Sequence, residues 1–252
     1  MKKLACFAAL LPVALFAAEA WEAKPFEAWS DKDLQKVVSN SPWARQTRAL
    51  LTGAAARENG PAASGVGDAS TNQVAGAGAG RGSGGAGGAG RLGAAPSDFD
   101  PTGQAGQQPG VPVIIRWQTA LPLRQAQMRG KYGKEAATSP DSQKFLAQEP
   151  MLYVVSVAGL PGAMVSGGAG DQAKQNIARS ASLTAKGKEP LRPLGVEFVP
   201  NGSAVDVLIG FPRTIPLTLE DQEVEFSSQI GPAAVKYKFK LKDMLLHGKL
   251  EL

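Results

Sequence analysis

Between Gly53 and Gly110 the chain concentrates 17 of its 30 glycines, together with many alanines and almost no large apolar side chain. A run such as Gly76-Ala77-Gly78-Ala79-Gly80 cannot bury enough surface to offset the entropy of ordering it. The stretch reads as a disordered linker, and its 58 residues would span about 40 Å root-mean-square on the scaling for glycine-rich chains. Any fold must therefore be built from what lies on either side, a short helical arm at 21–52 and a main domain at 111–252.

The opening residues have a different purpose. Met1, Lys2 and Lys3 precede a run that is apolar from Leu4 to Ala18 apart from Pro12 and ends in the small-x-small triplet Ala18-Glu19-Ala20. This is the layout of a cleavable secretory signal over residues 1–20. The run is shorter than the roughly 18 to 20 unbroken apolar residues a membrane-spanning helix needs, and no later stretch is longer, so no transmembrane segment is expected in the mature chain. Cys6 is the sole cysteine, with too few residues before it for a lipoprotein signal. The mature chain then has no cysteine, which excludes disulfides, thiol nucleophiles and thiolate metal sites. An exported protein, periplasmic or secreted, is the expectation. Without Lys2, Lys3 and Glu19 the chain keeps 25 basic and 21 acidic residues, an excess too mild to point to nucleic acid.

The arm carries helix punctuation. Ser30 is an N-cap with Asp33 as its capping-box partner and Trp29 placed to staple onto Leu34, which predicts a helix over Asp31–Ser39. Ser41 followed by Pro42 predicts a second helix carrying Trp43, Thr47, Leu50 and Leu51. So few residues cannot close a core alone. The tryptophans, Trp29 and Trp43 above all, are therefore candidate contacts, either docking on the main domain or meeting a partner.

The main domain opens on the β-branched run Val113 to Trp117, followed by helix signals at Pro122 to Met128 and from Ser139-Pro140 to Pro150. Met151 to Val157 reads as a strand and Gly159 to Gly170 as a flexible loop. Strand signals then follow at Ala181–Lys186, Val196–Val199, Ala204–Phe211, Glu223–Ile230 and Val235–Leu241, with a last one near Leu246–Leu252. Short strands between Gly, Pro and Asn turns predict a β-rich α+β fold, an antiparallel sheet or sandwich with two inserted helices.

The segments W-S-D-K-D at Trp29 to Asp33, S-P-W-A at Ser41 to Ala44, Ile115-Arg116-Trp117-Gln118, Phe211-Pro212-Arg213, K-F-K-L-K-D-M at Lys238 to Met244 and G-K-L-E-L at Gly248 to Leu252 resemble a family of exported bacterial proteins without an assigned function. The resemblance covers arm and main domain but not the glycine-rich tract. It implies that the two belong to one design and carries over no activity and no site.

Chemistry is sparse. The G-x-G-x-x-G spacings at Gly82–Gly87 and Gly85–Gly90 lack the strand-to-helix context that would aim N–H groups at a pyrophosphate. The sole histidine, His247, has no nucleophile elbow to serve, and no S-x-x-K opens a convincing helix. Asp98, Asp100 and Gly103 match only the start of a calcium loop. A hairpin turning at Asn201-Gly202 would set Glu197 opposite Asp206, a like-charge pair that asks for a neighbouring Lys or Arg, a different register or a bound calcium.

Lys236, Lys238, Lys240 and Lys242 alternate with Val235, Tyr237, Phe239 and Leu241, so as a strand they share one face at a pitch of ~7 Å. That row is the candidate anion-binding site. The bland reading pairs Glu225 with Lys240 and Glu223 with Lys242 across a hairpin closed by residues 231–234. No catalytic residue, metal ligand or cofactor is nominated. The expectation is a non-enzymatic protein acting through contacts with another exported or envelope protein. The alternatives are a module for an anionic envelope polymer or surface and a hydrolase with an unrecognised site.

Overall fold

A computed structural model describes residues 19–52, 109–165 and 170–252. Most of the expected signal, the glycine-rich spacings, the calcium-loop fragment and nearly all of the expected linker lie outside the described residues. After a short helix α1, Ala20–Ala23, helix α2 runs over Asp31–Ser39 with the expected capping box in place. Ser30 Oγ accepts from the Asp33 N–H at 3.3 Å and the Asp33 carboxylate accepts from the Ser30 N–H at 3.0 Å. The Ser30 backbone and side-chain hydrogen bonds, followed by the Lys24 ammonium, lower the Asp33 carboxyl to about 2.

The second arm helix does not form. Asn40–Ser41 is strand β1 and Ala44–Leu51 is strand β2. Ser41 Oγ donates to the Val37 carbonyl at 2.7 Å instead of capping anything. The helix-favouring residues of β2 are overridden by tertiary pairing, because β2 runs antiparallel to β3, Gly110–Trp117, over seven residue pairs from Ala44↔Arg116 to Leu50↔Gly110. Its far end also pairs with the strand near Ala233 and Ala234. The two sides of the glycine-rich tract thus meet, with the Leu51 N–H donating to the Pro109 carbonyl at 2.9 Å. Residues 53–108 connect the two strands of one hairpin, and arm and main domain share a sheet.

The remaining elements are α3 (Leu121–Tyr132), α4 (Pro140–Ala147), β4 (Leu152–Pro161), α5 (Gly162–Val165), α6 (Gly170–Ser180), β5 (Ser182–Ala185), β6 (Gly195–Asn201), β7 (Ala204–Pro212), β8 (Glu223–Ile230), β9 (Ala233–Lys240), β10 (Leu245–Leu246) and β11 (Lys249–Leu250). The main sheet has the order β5-β8-β9-β2-β3-β4-β7-β6, antiparallel throughout, with β1 beside β2. The fold is α+β and β-rich, as expected. One curled sheet takes the place of a sandwich: Phe211 on β7 and Phe226 on β8, far apart in strand order, stack edge to face at 6.3 Å. Trp117, Tyr153 and Phe239 fill the concave face between them.

The expected loop at Gly159–Gly170 instead holds the end of β4 and all of α5. β4 continues to Pro161 across a register shift between Val157 and Leu160, where Gly159 at φ +88° supplies a conformation that glycine tolerates. Helix α6, unforeseen, then packs on both β6 and β8 at the open side of the curl. Ser180 Oγ ties it to the sheet, accepting from the Gln229 N–H at 3.0 Å.

Candidate functional site

The lysine row is shorter than the alternation suggests. β9 ends at Lys240, and Lys242 lies in a 3-10 turn over Leu241–Asp243. The β8–β9 turn is Gly231-Pro232, with Gly231 at φ +55°, so Ile230 pairs with Ala233 and every partner moves by two residues from the expected register. Glu225 faces Lys238 and Glu223 faces Lys240. Lys236, expected to be free, holds Glu225 at 2.9 Å, and Lys238, also expected free, holds Glu223 at 3.3 Å. Among the described residues Lys240 and Lys242 have no ion-pair partner.

The carboxylate pair is corrected in the same way. The turn is Gly202-Ser203, Asn201 pairs with Ala204, and Glu197 faces Leu208 while Asp206 faces Val199. Asp206 accepts from the Gly159 N–H at 3.1 Å and lies 3.7 Å from Arg116, so no cation is required between the two acids. Trp29 and Trp43 are 1 % and 0 % exposed and pack within the fold. Trp43 Nε1 donates to the Glu251 carbonyl at 2.9 Å and its ring meets Trp21 edge to face. His247 has φ +48° and Gly248 φ +79°, the pair of left-handed positions that a two-residue turn between β10 and β11 requires. Among the described residues there is no cluster of metal-ligating side chains, and no helix is long and apolar enough to cross a membrane.

The feature that sequence reasoning missed is an open cleft of about 890 Å³ between the end of α4, the turn at 217–220 and the chain's last residues. Its walls are fixed from behind. Tyr153 Oη accepts from the Leu217 N–H at 3.1 Å. The Asp221 carboxylate caps Thr218 and holds Lys188 at 2.7 Å. Burial alone would raise the Asp221 carboxyl, but the Lys188 ammonium and the Thr218 N–H outweigh it and leave it below its ordinary range.

Two guanidiniums line the floor. Arg124, on α3, is 7 % exposed, lies 4.8 Å from the centre of the Phe145 ring and donates to the Phe145 carbonyl. Arg213, just after β7, lies 4.5 Å from the Tyr153 ring centre, donates to a backbone oxygen of Leu252, and keeps a buried Nε without a partner. Burial first, and then the positive charge of Arg213, lower the pKa of Arg124, against the opposing pull of Glu251. Glu251 is already engaged with Lys249 at 3.3 Å. One signal for this site is present in the sequence: Arg124 falls three residues after Leu121 and four before Met128, a charge within an otherwise apolar helical stripe. Arg213 lies in the Phe211-Pro212-Arg213 segment, but its neighbours Tyr153 and Leu252 come from distant parts of the chain. Comparison of the chain with family models, with curated proteins and with solved structures gave no match.

Proposed function

We propose that the protein is an exported, non-enzymatic binding protein that acts through contacts with another exported or envelope protein, and that the cleft is its contact surface. The cleft itself carries the reading. Its lining mixes leucines with Arg124, Arg213 and Lys249 of one sign and Glu149, Glu220 and Glu251 of the other, and an open surface of mixed charge with apolar patches suits a polypeptide better than a uniform polyanion. Its test is site-directed photo-cross-linking in the producing cell, with p-benzoylphenylalanine placed either at Gln148 on the cleft rim or at Glu197, exposed on β6 and outside the cleft. The expected result is a discrete cross-linked species from position 148 and none from 197. Equal cross-linking from the two positions, or none from either, overturns the assignment.

A second reading, a module for an anionic envelope polymer, rests on Lys240 and Lys242, which are exposed and without ion-pair partners among the described residues. A ligand held there would release as ionic strength rises.

A further inference from the structure

We infer that Arg124 and Arg213 form a carboxylate anchor on the cleft floor, taking an aspartate or glutamate side chain of an acidic peptide segment. This rests on reading the cleft as a contact surface and names what that surface recognises.

The charges around the cleft are formally balanced but spatially sorted. Glu149 and Glu220 stand exposed on the rim, whereas Arg124 is buried and Arg213 half-buried on the floor. At depth Glu251 opposes Arg124 and shares its carboxylate with Lys249, while Arg213 meets a backbone oxygen of Leu252. Two like charges in a desolvated pocket repel unless an anion lies between them.

Both guanidiniums are pre-set. Each lies over an aromatic ring, and each spends a donor on one backbone oxygen, out of the five N–H groups a guanidinium carries. Arg213 Nε has no partner in the chain, so a shift of that group toward an incoming oxyanion gives up no bond on that edge. A planar fork suits the paired oxygens of a carboxylate. Leu121, Leu146 and Leu219 border the same cleft and provide apolar contact for residues flanking the acid.

The purified protein is titrated with a fluorescein-labelled peptide of alternating Asp and Leu, with the same peptide carrying Asn for Asp, and with inorganic phosphate as competitor. The Asp peptide is expected to bind on the order of tenfold more tightly than the Asn peptide. Arg213→Gln should erase that preference, and Arg213→Lys should restore part of it, since it returns the charge without the fork. Arg124→Lys, which keeps the charge in the packed site, should narrow the preference even if Arg124→Gln does not fold. Equal binding of the two peptides, or a preference untouched by Arg213→Gln in a variant that melts normally, overturns the anchor. Displacement of the peptide by phosphate at lower concentration than by unlabelled peptide also overturns it, in favour of a small-oxyanion site. Because this titration needs no cellular partner, its failure beside an intact Gln148 cross-link removes the carboxylate anchor and leaves the contact surface standing. Peptide preference without a cross-link does the reverse.

Discussion

The hairpin of β8 and β9 and the strand β2 lie side by side in one sheet, yet they are specified at different ranges. In the hairpin each residue's partner is at most seventeen positions away, as in Glu223↔Lys240, and strict alternation of apolar and polar residues writes the face of every side chain into the local sequence. β2 has its partners at residues 110–116 on one side and 233–234 on the other. Its own composition, rich in Arg, Gln, Ala and Leu, favours a helix. What makes it a strand is a pair of edges contributed from far along the chain, and no window around residue 47 contains them.

If β2 is integral to the sheet, the largest effect should come from its entry point. Trp43 is fully buried, and its carbonyl accepts from the Trp117 N–H at 2.7 Å while its ring fills the space beside Trp21. Trp43→Ala should destabilise by about 3–5 kcal/mol, read as a lowered urea midpoint in one cooperative transition. A loss below ~1 kcal/mol, or two separate transitions, would mean that the first fifty residues fold apart from the rest.

A smaller effect, of opposite sign, tests what lies between the two strands. Thr52 and Pro109 are brought together by the β2–β3 pairing, and the 56 residues 53–108 connect them. Replacing those residues with Asn-Gly should leave the fold intact and stabilise it by about 3 kcal/mol at most, the loop-closure difference between a long and a two-residue connection. Calorimetric melting reads this directly. A fall in melting temperature would show that the removed residues contribute contacts to the folded state.

Legibility follows the same division of range. The capping box of α2, the strand at Val113–Trp117, the helices beginning at Leu121 and Pro140 and the span of β8 were all readable, because caps and short-period patterns are local. Both hairpin registers were misread by two residues for one shared reason. Gly202 and Gly231 stand first in two-residue turns, each at positive φ, whereas the sequence reading centred one turn on Asn201-Gly202 and gave the other four residues. An even slip keeps every side chain on its face, so core and solvent sides were right while individual partners were wrong. Of the cleft only Arg124, a charge within an apolar helical stripe, is legible, since α3, α4, β7 and the final residues meet only in the folded chain.

The slip itself can be measured on the hairpin, where the expected energies are smallest. In the observed register Lys236 Nζ lies 2.9 Å from Glu225 and Lys238 Nζ lies 3.3 Å from Glu223. The register read from sequence placed Glu223 across from Lys242, and left Lys236 and Lys238 opposite Gln229 and Ser227. Two double-mutant cycles separate these registers, one pairing Glu225→Gln with Lys236→Gln and one pairing Glu223→Gln with Lys242→Gln. The first should give a coupling of roughly 0.2–1 kcal/mol, the range for exposed ion pairs, and the second a coupling near zero. Added salt should shrink the first coupling, since both partners are open to solvent. Coupling in the second cycle with none in the first would restore the four-residue turn. It would also pair Lys240 with Glu225 and move the unpaired lysines of the polyanion reading from Lys240 and Lys242 to Lys236 and Lys238.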